Sequence, residues 1–588
     1  MKLPIGPIFR SSGTHFRVYA SFATKVDVIL IDNRENSTRF PLNDEGNGYF
    51  SGFFREFKNL SRYYFSVDEG PFYADPVSNF QPEGPFGPSQ IIDHQIFKWN
   101  DQEWKGTAIE GQIIYEMHIG TFTQEGTYSA AELQLPELAK LGVTILEIMP
   151  LNDFSGKFGW GYDGVNLFAP TRLYGTPDQL KSFINTAHQL NLAVILDVVY
   201  NHFGPEGNFI DKFSPDYFNE EETDWGRGID FSKTSTREFF LTNIRYWLEI
   251  FHFDGFRFDA LQSIDYQTTP ILKEIRKLIR KYEGKRTILL IGENESQDAN
   301  LIRSIKDKGF GLDALWNDDF HHSARVCLTG RKEGYFKDYT GSAQEFISLI
   351  KRGFLYQGQF YTWQKKFRGT PSLDMRCSAY ILFLQNHDQI ANSPQSLRIH
   401  QLTDQNKLRA MNCLMFLSPN IPMLFQGQEF NSSSPFYYFA DHSDRLMRYV
   451  SLGRKEFLCQ FRSQANAEVQ KNILNPSNPA AFIKSKLDFT ERELNKSIYN
   501  FYKDLIKLRR FDKVFSDSNN SVDGAVLNMN AFVLRFFGDN DERLVLLNFS
   551  TDFEINPASE PLLVPPENTK WQLLFSSDAL AYGGQGTP

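Results

Sequence analysis

Several side chains able to attack, protonate or carry charge stand at the ends of short apolar runs. They are Asp197, Asn201 and His202 at and after AVILDVVY, Arg257 and Asp259 in GFRFDA, Glu293 in TILLIGEN, and His387 and Asp388 directly after AYILFLQN. A strand-end Asp often only caps the next helix. Three carboxylates that each end a strictly apolar run are harder to read that way, because an unpartnered carboxylate there is costly to desolvate. Two such groups on opposite sides of a glycosidic bond can break it, one attacking the anomeric carbon and one protonating the leaving oxygen. The attacking group must stay ionised, and a cation beside it favours that. Arg257 lies two residues before Asp259, so both project from one face of a strand. The acid must keep its proton near neutrality, and repulsion from a second carboxylate, here Asp388 beside Glu293, helps it do so. Asp, Glu and His also bind metals, but no H-x-x-x-H or D-x-D-x-D-G pattern is present, and the chemistry calls for no metal and no cofactor.

The elements that must position these groups can be read from residue 112 onward. IIYEMHI, VTILEIMP, AVILDVVY, GFRFDAL, TILLIGEN, ALWNDDF, AYILFLQN and IPMLFQGQ alternate with amphipathic stretches such as 178–191 and 236–251. Near-continuous apolar strands separated by helices predict an α/β fold, a parallel (β/α)8 TIM barrel, with active-site residues at the strands' C-terminal ends. Before the barrel, HFRVYA, KVDVILI and YYFSV alternate apolar and polar residues around turns such as NDEGNG, which predicts an N-terminal β-sandwich over 1–100. Within it, 74–104 is a Pro- and Gly-rich connector. The catalytic barrel is assigned to 101–511, with an inserted loop near 203–235 and a closing helix over 496–510. AFVLRFF, RLVLLNF and KWQLLF then predict a C-terminal antiparallel β-domain over 512–588.

Composition narrows the class of partner. The 588 residues carry a net charge of −9, spread along the chain, which argues against nucleic acid, where a basic face is required. The 15% aromatic fraction suits sugar rings, although most such rings belong in cores. Cys327, Cys377, Cys413 and Cys459 are far apart and read as reduced, buried thiols. No run has the length of a signal peptide or membrane span, so a cytoplasmic protein is expected.

At the reacting residues the sequence resembles the alpha-amylase superfamily. Its four signature regions appear in order as DVVYNH (197–202), GFRFDA (255–260), the Glu of IGENE (291–295) and LQNHDQ (384–389). The resemblance implies that Asp259 is the nucleophile, Glu293 the acid/base and Asp388 the carboxylate gripping sugar hydroxyls. It also implies that Arg257, His202 and His387 line the attacked glucose, with Tyr162 of GWGYDG on its ring and Asp197 and Asn201 as framework. Within the superfamily the chain looks most like the maltooligosyltrehalose trehalohydrolases, in 74–93, 114–128, 159–181, 199–208, 312–336 and 422–442. The telling segment is WNDDFHH, which makes Asp318, Asp319, His321 and His322 candidates for binding a trehalose leaving group. That likeness implies maltooligosyl trehalose and related α-glucans as substrates and functional pairing with a maltooligosyltrehalose synthase. Glu293 is flanked by Gly292 and Asn294 where the family more often has Ala and Ser, and its C-terminal domain usually runs on by a strand or two past YGGQGTP. A glycogen branching or debranching enzyme shares the layout. A non-enzymatic glycan-binding relative would be expected to lack a catalytic carboxylate, and here all three are present.

Overall fold

The computed structural model describes residues 4–587 except 224–225, 265–267, 518–519, 540 and 556–558. Eight parallel strands close into a barrel in sequence order: Ile114–Met117, Ile145–Ile148, Ala193–Val198, Gly255–Phe258, Leu289–Gly292, Ala314–Trp316, Tyr380–Phe383 and Ile421–Phe425. Each run singled out in the sequence supplies one of them. Side chains alternate along every strand, so odd and even positions go to different places. Ile114, Ile145, Ile195, Leu289, Ile291, Ala314, Ile381, Phe383, Ile421 and Met423 fill the interior. Their neighbours, among them Tyr115, Leu146, Leu196, Phe256, Leu290 and Leu382, pack outward under the helices.

The helices form where capping and periodicity ask for them. Pro177–Gln189 starts with a Thr176–Gln179 capping box and a proline in its first turn, and Thr234–Ile250 and Lys496–Phe511 present one apolar face each. Between the third and fourth strands the chain makes two 3₁₀ turns, Ile210–Lys212 and Pro215–Tyr217, and a hairpin, Phe218–Thr223 with Gly226–Ile229.

The N-terminal region forms two antiparallel sheets. One runs Ile8–Arg10, Gly13–Tyr19, Tyr49–Phe54, Asn43–Gly46; the other is centred on Val26–Ile31 and Arg62–Val67. Phe16, Val18 and Phe50 of the first meet Val26, Val28, Tyr63 and Phe65 of the second in a shared core. Phe213, from the segment between barrel strands three and four, enters that core, and the Tyr19 hydroxyl donates to Asp216 at 2.6 Å. That segment therefore fastens the sheets to the barrel.

Two expectations need correction. The C-terminal sheet has three strands, Ser521–Asn528, Ala531–Phe537 and Glu542–Asn548; the first was missed, and KWQLLF at 570–575 forms none. There Trp571 donates to the Leu563 carbonyl at 2.8 Å and Phe575 packs on Phe501 and Tyr582, so side chains dock the segment without a ladder partner. The four thiols are free, but only Cys413 is buried and Cys459 is exposed. Among the described residues no helix is long and apolar enough to cross a membrane.

A buried latch ties the barrel's N-terminal end to the connector. His188 bridges Asp101 Oδ2 at 2.9 Å and Asp254 Oδ2 at 3.0 Å; Asp254 also accepts from Trp104, Arg286 and the Val194 amide. Burial depresses the His188 pKa, but the two carboxylates outweigh it and the net shift is upward. Burial likewise opposes ionisation of Asp254, but Arg286 and His188 bring its pKa down to about 2. The His188 contribution is thus complete below the ordinary imidazole pKa of about 6.5 and lost as pH rises through its elevated value. The Asp254 contribution is present above about pH 4 and lost in stronger acid. His188→Gln should cost about 3 kcal/mol near pH 6, because it takes a buried positive charge away from Asp101 and Asp254, and distinctly less near pH 9. Thermal melts across that range should therefore converge; an equal deficit at both pH values would show that the imidazolium charge is not what the latch uses.

Candidate active site

One register argument builds the site. Continuing the inward-facing positions by one residue pair beyond the apolar layer reaches Glu116 above Ile114, Glu147 above Ile145, Asp197 above Ile195, Arg257 above Gly255, Glu293 above Ile291 and Trp316 above Ala314. Asp197 and Arg257 are direct partners across adjacent strands. Gly255 has to be glycine: a Cβ there would lie 2.2 Å from the Leu289 carbonyl oxygen. Its absence lets the fourth strand sit close to the fifth and brings Arg257 beside Glu293.

Arg257 is wholly buried and holds three carboxylates. Its Nη1 donates to Asp197 Oδ2 at 2.7 Å and Asp259 Oδ1 at 3.0 Å, and its Nη2 donates to Glu293 Oε2 at 2.6 Å. The Trp316 ring lies 4.1 Å from the guanidinium carbon, a cation–π floor. Asn201 Nδ2 donates to the other Asp259 oxygen at 2.9 Å. Ala260 takes the left-handed conformation at φ 41°, ψ 55°, rare for a residue with a Cβ, and turns its amide onto Glu293 Oε2 at 3.1 Å. Asp388 follows Asn386, which caps the short helix His387–Ala391. The carboxylates are graded in exposure, Asp197 2%, Asp259 14%, Glu293 23% and Asp388 45%, so the last three open to the rim and the first does not.

The electrostatics follow from burial. Desolvation pushes the Glu293 pKa up to about 7; Arg257 opposes it, and the negative charges of Asp259 and Asp388 add to it. At Asp259 burial also wins over Arg257 and Asn201 and the pKa is raised, so the arginine limits the shift rather than reversing it. Burial dominates at Asp197 too.

The remaining expected groups are placed as follows. Tyr162 donates to Asp197 Oδ2 at 2.6 Å, and its ring stacks on His387 at 5.2 Å between centroids. His202 Nε2 pairs with the Tyr162 carbonyl at 3.0 Å and Nδ1 with Asn201 Oδ1, and burial lowers its pKa. Of the WNDDFHH residues, Asp318 is the one that is not fully buried. Burial raises its pKa to about 7, and Glu293 and Glu295 are among its charged neighbours. Asp319 corrects expectation. It is fully enclosed, accepting from the Tyr339 hydroxyl at 2.6 Å and from the Leu355 and Tyr356 amides at 2.7 and 3.1 Å, so it fastens the wall and offers nothing to a ligand. His321 is enclosed on Phe383, and His322 lies behind the Tyr335 ring; both pKa values are depressed by burial. Sequence reasoning missed Glu116, Glu147, Trp316 and Tyr335. The first three share the inward parity, which was the available signal. Tyr335 comes from a loop, and no periodicity marks it. Among the described residues no group of three or more His, Cys, Asp or Glu is arranged to hold a metal.

Comparisons with known proteins agree with this geometry. Residues 4–78 match "Carbohydrate-binding module 48 (Isoamylase N-terminal domain)", 120–227 match "Alpha amylase, catalytic domain" and 519–588 match "Domain of unknown function (DUF3459)". A crystal structure of an alpha-amylase-type protein from Salmonella typhimurium superposes with a TM-score of 0.85 over 94% of both chains, at 33% identity. A Bacillus subtilis pullulanase at 20% identity shares the fold, with a TM-score of 0.70 over 94% of this chain and 79% of its own. The barrel and its family match define a glycoside hydrolase of the alpha-amylase family. Malto-oligosyltrehalose trehalohydrolase from Deinococcus radiodurans is 38% identical over 87% of this chain and 84% of its own length, and that from Saccharolobus solfataricus is 37% identical over 85% of each. This chain belongs to the malto-oligosyltrehalose trehalohydrolase family.

A raised pKa keeps Glu293 protonated up to about pH 7, so kcat/KM should fall above that pH by about tenfold per unit. Arg257→Met removes the group that lowers it, so the alkaline limb should move upward while stability drops by about 3–5 kcal/mol. A limb that stays put in this variant would mean another group controls it.

Proposed function

We propose that the site performs retaining hydrolysis of the α-1,4 bond joining a maltooligosaccharide to its terminal trehalose. The observation that carries this reading is the pair Asp259 and Glu293, held by one guanidinium on neighbouring strands in a chain of this family. Asp259 attacks the anomeric carbon and the C1–O4 bond breaks. Glu293 gives its proton to the departing O4 of trehalose. Water, deprotonated by Glu293, then cleaves the glucosyl ester and restores both groups. Asp388, the most exposed carboxylate, grips hydroxyls of the attacked glucose, with Tyr162, His202, His387 and Arg257 shaping its subsite around the framework of Asp197 and Asn201. On the leaving-group side Asp318 meets the trehalose hydroxyls, while Asp319, His321 and His322 support the wall behind it. A maltooligosyltrehalose synthase supplying the substrate, and a cytoplasmic location, fit this reading.

Trehalose should be released from maltooligosyl trehalose much faster than maltose or glucose from a maltooligosaccharide of equal length. Asp318→Asn should shrink that preference by up to two decades in kcat/KM, since one lost hydrogen bond costs about 1–3 kcal/mol. Asp319→Ala should lower both rates together. Equal wild-type rates on the two substrates would leave an amylase, not a trehalohydrolase.

Azide separates the two reacting carboxyls. With an activated leaving group, Glu293→Ala keeps its nucleophile, and azide intercepting the glucosyl enzyme gives the α-azide. In Asp259→Ala azide can only take the nucleophile's place, giving the β-azide. Product anomers read by NMR should therefore be opposite, and the same anomer from both variants would overturn the assignment.

A further inference from the structure

We infer that Glu116 is a positioning residue that holds the His387 ring as a doubly protonated imidazolium in the resting site. The inference follows from counting protons along one hydrogen-bonded chain. Tyr162 has a single hydroxyl proton and three polar neighbours: Asp197 Oδ2 at 2.6 Å, His387 Nε2 at 3.0 Å and Arg257 Nη1 at 3.3 Å. Asp197 Oδ2 already accepts from Arg257 at 2.7 Å, so a phenol oxygen at 2.6 Å must donate to it. The Tyr162 oxygen is then left with lone pairs only, one for Arg257 and one for His387. His387 Nε2 must therefore carry a hydrogen.

The other nitrogen faces a carboxylate. His387 Nδ1 bonds Glu116 Oε1, and the His387 backbone amide donates to Glu116 Oε2 at 3.3 Å, so both oxygens of this enclosed side chain serve one residue. An ionised carboxylate only accepts, so Nδ1 also carries a hydrogen and the ring is a cation.

The surroundings favour that charge. From its own helix His387 faces Asp388, 3.6 Å from Nε2. Glu116 faces it from the first strand, and Asp197 acts on it from the third. Arg257 on the fourth strand opposes them. Glu147 on the second strand is pushed well above the carboxylate range by burial and holds its proton, and His118 beyond the first strand is brought down to about 3 by burial and is neutral. The Trp160 and Trp316 rings close the remaining sides at 5.2 and 6.2 Å. Burial alone would depress the imidazolium, but Glu116 and then Asp388 outweigh it and raise the ring to about 9.

The consequence is a second fixed cation beside Arg257, placed against Asp388. It sets a positive charge against that carboxylate and locks the Tyr162 ring through its phenol oxygen. This part rests on the proposed reading of the rim as the subsite of the attacked sugar; the ionisation of the ring does not.

The test therefore begins without substrate. In the full chain labelled with 15N-histidine, the His387 signals, identified by their loss in His387→Gln, should show two protonated-type nitrogens at pH 7. They should titrate near pH 9 in the wild type and more than one unit lower in Glu116→Gln, which keeps the shape and removes the charge. On maltooligosyl trehalose, Glu116→Gln should lose kcat by about tenfold or more with a smaller change in KM, as expected for an interaction made mainly in the transition state. Glu116→Asp, which retains the charge, should recover part of both the rate and the high titration. One unprotonated nitrogen in the wild type at pH 7 would overturn the proposal. So would a Glu116→Gln ring that still titrates near 9. The expected ring signals and titration shift, with no effect of Glu116→Gln on kcat, would leave the cation standing and sink the reading of the rim instead.

Discussion

A guanidinium sealed in the barrel mouth organises this active site. Arg257 cannot lose its proton, and with no solvent around it its two terminal nitrogens have to find oxygens. Three carboxylates supply them, from strands three, four and five. The dependence runs both ways. Without the arginine, buried negative charges would face one another across adjacent strands; without the carboxylates, a bare cation would sit on the Trp316 ring. Such an arrangement gives little net stability for its desolvation cost, but it leaves few alternatives for where Asp259 and Glu293 can point.

That constraint also shapes the acidity of the site. Both reacting carboxyls are pushed upward by the same burial, and one guanidinium restrains both. What separates them is the remainder of their surroundings. Both have two negative charges against them, Asp197 and Asp388 at Asp259 and Asp259 and Asp388 at Glu293, but Asp259 has the Asn201 side-chain amide on its second oxygen and Glu293 the Ala260 backbone amide. Two carboxyls in neighbouring registers thereby acquire different tasks. The adjacent Arg, expected from the sequence to favour ionisation of Asp259, limits a shift set by burial.

The wall built by WNDDFHH works by a different principle. Asn317 caps the helix Asp318–Thr329 and leaves Asp318 at its first turn, partly exposed, while Asp319 one step round the helix turns inward to hold the Tyr339 hydroxyl and two backbone amides. Consecutive helical residues face about 100° apart, so two adjacent acids in the sequence become one partly exposed group and one internal strut.

The sequence by itself determined the barrel and the polar residues that line its rim, because both are written in short-range pattern. Each strand is a compact apolar run, and the period of two along it selects the residue that must project inward just past the last apolar layer. Gly255, Arg257 and Asp259 could be read that way within a span of a few residues. The sandwich and the closing helix were legible for the same reason. The tertiary structure alone decided matters that depend on residues far apart in the chain. Asp319 and Asp318 are chemically identical in the sequence, and only Tyr339 and the Leu355–Tyr356 amides distinguish them. Glu116, in the first strand, becomes the partner of His387 only when the eighth strand closes on the first and brings the seventh strand's loop over it. KWQLLF has the apolar content of a strand, but the Trp571 and Phe575 side chains dock it as coil. Strand identity is set locally by alternation; what a carboxylate does is set by which distant groups desolvate and pair with it.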